Sequence, residues 1–228
     1  MTERTSGRDG WRRRLYLPAY TTVEAARFAQ TKPNTVAYWY YGTGKRTGPA
    51  LGGKRRYAPL SYLQLVEVAF AASFRQRGVP LQRIRKARDY VAKVFRAEFP
   101  FAQYEFKTEG LHVLMDAASV EPDFRDLIVA DEAGQMAWER IVLERFEQFD
   151  YEEELAVRWH PRGRGVPILI DPRISFGAPV IEGTGIPTWV LKGRFEAGET
   201  PEEIESDFGV TARDLRYALE FERVGLAA

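Results

Sequence analysis

The chain has 228 residues, 45% of them hydrophobic, with 5 Trp, 11 Tyr and 14 Phe, which is apolar surface enough for real cores. It has no cysteine, which excludes disulfides and thiolate metal sites and fits a reducing cytoplasm. No apolar run nears the ~18 residues of a membrane span, and the opening residues lack the apolar stretch of a signal peptide.

The formal net charge of +1 hides an asymmetry. Residues 1–100 carry 20 Lys+Arg against 6 Asp+Glu, while residues 101–228 carry 13 against 26. A basic half predicts a polyanionic partner such as nucleic acid. An acidic half predicts a surface kept off nucleic acid, or one that meets a basic protein. The plainer alternative is two unrelated solvated surfaces.

Residues 1–14 read as a flexible basic tail, with Arg12-Arg13-Arg14 either a flank or an arm that contacts phosphate. Thr21 caps a first helix, and Glu24 three residues on closes a capping box. Val23, Ala26 and Phe28 give that helix an apolar face, and it ends near Gln30. Pro33 opens a second helix, over about 34–41. The stretch 42–57 is rich in glycine and carries Lys45, Arg46, Lys54, Arg55 and Arg56, which reads as a basic hairpin. Two longer helices follow. One spans about 61–77 with a stripe of Leu63, Val66, Phe70 and Phe74. The other spans about 81–95 with Leu81, Ile84, Val91 and Val94. Phe99-Pro100-Phe101 then breaks the helix.

This order of helix, turn, helix, glycine-containing wing and helix pair resembles the MerR-type winged helix-turn-helix over roughly residues 18–95. The wing ends Lys54-Arg55-Arg56-Tyr57, in the manner of that family. The resemblance implies that the second helix enters the DNA major groove and the wing rides the backbone. It points to Asn34, Thr35 and Tyr38 as groove-facing residues, Lys32 as a phosphate contact, and Lys45, Arg46, Lys54, Arg55 and Arg56 as wing cations. Ala37 stands where the family commonly has arginine, and Tyr40 where it has an acidic residue. The long dimerisation helix of that family is replaced by the break at Pro100.

Residues 99–165 read as a small mixed α/β connecting region. Short apolar runs at 104–106, 112–115, 127–130 and 157–160 read as strands, residues 131–134 as a turn and residues 137–149 as a helix. Glu152-Glu153-Glu154 reads as a solvated surface, with a metal site as the weaker alternative. The two histidines, His112 and His160, stand apart and read as structural or surface residues.

Gly163 to Gly165 read as a linker into a last module, residues 166–228. Val180 and Ile181 fit a short strand, and Gly183-Thr184-Gly185 a tight turn. A phosphate-loop reading of that Gly-x-Gly fails for want of the third glycine and the lysine. Helices are predicted at about 189–197, 200–208 and from Thr211. The second opens with Thr200, Pro201 and Glu203 in cap, first-turn and box positions, and Thr211 with Asp214 repeats the device. The segment 168–222 resembles a small bacterial domain of VapB-like antitoxins, long catalogued as of unknown function. The resemblance rests on Asp171-Pro172, Gly177, Pro179, Ile181, Gly183-Thr184-Gly185-Ile186-Pro187, Ala197-Gly198, Pro201-Glu202-Glu203-Ile204 and Ala218-Leu219. Gly185 replaces the family's arginine.

The fold class so read is mainly α with minor β: an N-terminal winged helix-turn-helix over 15–98, the mixed middle, and a small helical C-terminal module. The two resemblances together imply a cytoplasmic antitoxin that is not an enzyme and carries no cofactor. It would bind a PIN-domain, VapC-like ribonuclease toxin encoded nearby, block its Mg²⁺-dependent RNA cleavage, and act as a homodimer on double-stranded promoter DNA to repress its own operon. Exposed aromatics and arginines of the last module, Trp189, Phe195, Arg216, Tyr217 and Phe221, are the candidate toxin contacts. Packing in the module's own core is the alternative for Trp189, Phe195 and Phe221. A ligand-responsive regulator without a toxin partner is the alternative function.

Overall fold

The structure, a computed structural model, describes residues 10–42, 48–53, 58–108 and 143–223. The cations expected on a wing, Lys45, Arg46, Lys54, Arg55 and Arg56, together with His112 and the expected elements at 112–115, 127–130 and 131–134, lie outside those residues. The chain divides into two units, residues 1–156 and 157–228. The described residues are mainly helical, with a small four-stranded sheet in the order β1-β2-β3-β4.

The first unit is organised around α4 (Tyr62–Gln76). Ser61 caps it in a capping box with Gln64, and nearly every side chain from Tyr62 to Phe74 is buried. Helices α1 (Arg12–Tyr16), α2 (Thr22–Phe28) and α5 (Leu81–Phe95) pack on it. The tail expected over residues 1–14 is therefore not what residues 12–14 form. Arg12 to Arg14 are helical because Leu15, one position on, is fully buried and Tyr16 meets Phe99 edge-on at 6.1 Å. The predicted bounds of α5 are those observed. Its buried residues are Ile84, Ala87, Arg88 and Val91, while Val94 is exposed.

Phe99-Pro100-Phe101 does break α5, and the reason is an aromatic core. Arg96 takes a left-handed conformation, and a 3-10 turn at Pro100–Ala102 sends the chain back across α4. Phe101 and Phe106 then lie 4.9 Å apart and each 5.9 Å from Phe70, which also stacks on Phe149 at 5.5 Å. Burying such rings stabilises a fold by roughly 2–3 kcal/mol each. The same cluster overturns one expectation. Residues 104–106 are not a strand but part of helix α6 (Tyr104–Thr108), whose turn returns Phe106 to Phe101. A three-residue apolar run carries no periodicity that separates strand from helix. The helix expected over 137–149 is seen at residues 143–146, and Phe149 opens strand β1 (Phe149–Glu152). Strand β2 (Leu155–Trp159) follows directly. Glu153 and Glu154 both have positive φ, 45° and 71°, so the acidic run is a tight two-residue hairpin turn. Among the described residues no group of three or more His, Cys, Asp or Glu is placed to hold a metal ion.

The second unit is not purely helical. The end of β2 pairs antiparallel with β3 (Ile168–Ile170), Trp159 opposite Ile170, and β3 pairs with β4 (Pro179–Ile181), Leu169 opposite Val180. The expected linker at Gly163 to Gly165 is the β2–β3 turn inside this unit, closed by the Gly163 amide donating to His160 O at 3.0 Å. His160 is buried, with Arg164 Nη1 3.3 Å from its Nε2. Asp171 is buried as well. It accepts from the Arg173 amide at 2.8 Å, from the Arg173 guanidinium, and from Arg158 Nε at 3.0 Å, which explains the start of the Asp171-Pro172 motif as a fastening. After β4, Thr184 Oγ1 donates to Ile181 O at 3.0 Å and accepts the Ile186 amide at 3.1 Å. Gly183 and Gly185 take φ of 82° and 72°, where a side chain is strained.

Three helices complete the unit: α7 (Thr188–Glu196), α8 (Pro201–Phe208) and α9 (Ala212–Phe221). The capping boxes expected at Thr200/Glu203 and Thr211/Asp214 are both formed. Leu191, Ile204, Leu215, Ala218, Leu219 and Phe221 are the core between them.

Candidate functional site

In the first unit, α2 and α3 (Pro33–Tyr41) are two short helices packed on each other and joined by a four-residue turn. Thr21 and Glu24 form the expected capping box of α2. Its buried face is Ala25, Ala26 and Phe28, while Val23 points to solvent at 60% exposure. The helix stops at Phe28 because Gln30 adopts a left-handed conformation and the Thr31 amide closes on Ala26 O at 2.8 Å. Gln76 Nε2, at the end of α4, donates to Gln30 O at 3.2 Å and pins the turn.

The helical period sorts α3 into two faces. Val36, Trp39 and Tyr40 are buried. Lys32 and Asn34 are exposed, and Thr35 and Tyr38 are half-buried on the outer side. The four residues expected to meet DNA from this helix thus stand together at its first two turns. Tyr40 is a core residue: its hydroxyl donates to Gln64 O at 3.0 Å, and burial pushes its phenol further above 10.0, so it stays a neutral donor. The chain beyond α3 is tied back to it. The Ala50 and Leu51 amides both donate to Trp39 O, at 2.7 and 3.1 Å, and Arg85 of α5 donates to Gly48 O at 2.5 Å. Asn34 and Thr35 carry donors and acceptors suited to base edges, and Lys32 a charge suited to phosphate.

In the second unit the candidate partner residues separate. Trp189, in the first turn of α7, is 59% exposed. Phe195 and Tyr217 are half-buried and Arg216 is exposed. Phe221 is 3% exposed beneath the Arg162 guanidinium, 4.8 Å from its ring, so it is a core residue and not an exposed contact. Of the two readings of Phe221, packing in the module's own core is the one observed.

A residue that sequence reasoning missed is Phe176. Its ring is 87% exposed, and its backbone sits at φ 55°, ψ 27° in a 3-10 turn, with Ser175 before it also at positive φ. Such a conformation costs a non-glycine residue on the order of 1–2 kcal/mol. The signal available was an aromatic residue in Ser175-Phe176-Gly177 between two prolines, Pro172 and Pro179.

Three comparisons bear on these surfaces. A family model described as "Protein of unknown function (DUF433)" matches residues 168–221. The chain is 30% identical over 227 residues to a Mycobacterium tuberculosis (strain ATCC 25618 / H37Rv) protein named "Putative antitoxin VapB45", covering 91% of this chain and 95% of that one. The X-ray crystal structure of Rv2018 from Mycobacterium tuberculosis is similar to it with a TM-score of 0.75 at 30% identity, covering 90% of this chain and 99% of that chain.

Proposed function

The chain belongs to the family of the Mycobacterium tuberculosis protein VapB45, and from that membership we propose that it is the antitoxin of a toxin–antitoxin pair. The observation that carries the reading is the extent of the similarity: it runs over nearly the whole of both chains and so takes in both units, not the C-terminal segment alone.

In this reading the two units divide the work. The second unit holds a PIN-domain ribonuclease toxin, with exposed Trp189, half-buried Phe195 and the exposed Phe176 as its aromatic contacts. Large exposed aromatics are costly to leave in water and are the residue types that dominate interface energies. The first unit holds operator DNA, with Lys32, Asn34, Thr35 and Tyr38 presented by α3 and Lys45, Arg46, Lys54, Arg55 and Arg56 supplied by the basic stretch after it. Binding as a homodimer on a two-fold operator follows the usual symmetry of such repressors. The role is one of binding rather than catalysis. No helix of the described residues is long and apolar enough to cross a membrane.

The test is co-expression. The reading frame adjacent to this gene is induced alone and then together with the full chain, and growth is followed. Arrest by the neighbour alone and recovery with this protein are expected. A neighbour that is harmless alone, or toxic in both cases, overturns the reading.

A further inference from the structure

The second unit carries nearly balanced charge, but the charges are sorted. Its acidic residues gather where α7 ends and along α8: Glu196, Glu199, Glu202, Glu203, Glu205 and Asp207. Arginines gather at the other helix. The β2–β3 turn reads Pro161-Arg162-Gly163-Arg164-Gly165, and it is bound to α9 at two points. Arg213 Nη2 donates to Gly165 O at 2.9 Å, and the Arg162 guanidinium covers the Phe221 ring. Along the same helix the Arg213 and Arg216 guanidinium groups flank the Tyr217 ring, at 5.6 and 5.3 Å. The turn and α9 thus bring Arg162, Arg164, Arg213 and Arg216 onto one cationic surface, with Arg164, Arg213 and Arg216 exposed. Among the described residues Glu220 lies 3.9 Å from Arg216, and Glu182 lies 4.0 Å from His160 at the base of the turn. Asp214 is engaged in the helix cap, and Glu222 is buried against Thr188.

We propose that this surface, built from the β2–β3 turn and α9, binds the phosphate backbone of double-stranded DNA. The chain then grips DNA with both units, through bases and phosphates at α3 and through phosphates alone here. Two features favour a phosphodiester backbone over an acidic protein face. First, among the described residues the surface has no exposed apolar centre. Phe221 is buried under Arg162 and Tyr217 is half-covered by two guanidinium groups, whereas the exposed large apolar side chains among the described residues of this unit, Phe176 and Trp189, belong to the 3-10 turn and α7. Protein interfaces have apolar centres depleted of charge, while DNA interfaces are polar and strongly positive. Second, the turn is open. A side chain placed on Gly163 or Gly165 would meet nothing within 4 Å, so a phosphate has room to approach the backbone between the two arginines.

The experiment uses the full-length protein and a duplex carrying its own promoter, with affinity measured by fluorescence anisotropy from 50 to 200 mM salt. The variant Arg164→Ala/Arg216→Ala is compared with the wild type and with Arg164→Lys/Arg216→Lys; Arg213 is left in place because it fastens the turn. Each phosphate contact contributes about 0.9 to the slope of log affinity against log salt. The alanine variant is expected to lower that slope by about 2, to bind all duplexes more weakly without a change of sequence preference, and to keep a cooperative unfolding transition. The lysine variant is expected to restore the slope. An alanine variant with the wild-type slope overturns the proposal while leaving the DNA reading of α3 intact. Wild-type slope together with lost capture of the toxin assigns the surface to a protein instead. A wild-type chain that binds no duplex at 50 mM salt overturns both this proposal and the promoter reading, and co-expression rescue then stands as a separate result.

Discussion

The Arg88 guanidinium donates to the Glu67 carboxylate at 2.6 Å inside the first unit, and the second oxygen of that carboxylate accepts the Phe101 amide at 2.8 Å. Arg88 also donates to Glu98 O at 2.6 Å. One ion pair therefore ties α4, α5 and the 3-10 turn together and sets the floor on which α2 and α3 rest. Removing one partner leaves the other charge buried, which costs about 3–5 kcal/mol. Arg88→Met is expected to destabilise the protein by that amount in chemical denaturation. Glu67→Met/Arg88→Met is expected to recover part of it, because no buried charge remains unpaired.

Phe176 offers a sharper trade. Its ring is almost wholly in water and its backbone is left-handed, so Phe176→Gly loses little packing and relieves strain. The variant is expected to gain about 1 kcal/mol of stability and to capture the toxin more weakly. Thermal unfolding and a pull-down on the same preparations check both halves. A variant that is less stable would show that the turn is shaped by contacts of the ring within the fold.

At α3 the expected effects divide by chemistry. Lys32→Ala is expected to weaken binding on every duplex and to reduce the salt slope by about 1, and Arg55→Ala/Arg56→Ala by about 2. Asn34→Ala is expected to alter sequence preference at one position of the site by about 1–3 kcal/mol with the slope unchanged. Anisotropy against an operator and its single-base variants separates the two classes.

The caps give a pH dependence. Glu203 accepts from the Thr200 amide at 2.8 Å, and that bond is the largest influence holding its carboxyl below the ordinary 4.5. A carboxyl depressed in the folded state contributes stability above its unfolded value of 4.5 and loses it as pH falls through the lower folded value. The stability difference between wild type and Glu203→Gln is therefore expected to be present at pH 7 and to shrink below pH 4.5. Denaturation midpoints at pH 7, 5, 4 and 3 read it directly.

What the sequence made legible was local chemistry. Thr21/Glu24, Thr200/Glu203 and Thr211/Asp214 are each complete within four residues, and each forms the box its spacing predicts. Helix α5 was legible because a long stripe ends at a proline-containing break. What escaped depended on partners distant in the chain. Tyr104 to Phe106 look like a strand until Phe70, Phe101 and Phe146 are seen around Phe106. The glycines at 163 and 165 look like a linker until Arg213 is found holding Gly165, 48 residues away. Phe176 draws no reading from the sequence, and its only local signal is its place in Ser175-Phe176-Gly177 between Pro172 and Pro179. At the candidate sites, the resemblance points to the outer residues Asn34, Thr35 and Tyr38, and core packing is one of the two readings for Phe221, whereas no reading of the sequence reaches the exposed Phe176.

The proposed silencing of a ribonuclease is measured most directly by a titration. The product of the adjacent reading frame is purified, its Mg²⁺-dependent cleavage of RNA is followed, and full-length protein is added in steps. Activity is expected to fall linearly to a fixed molar ratio and stay at zero beyond it. Cleavage that continues undiminished at a tenfold excess of this protein would contradict the account.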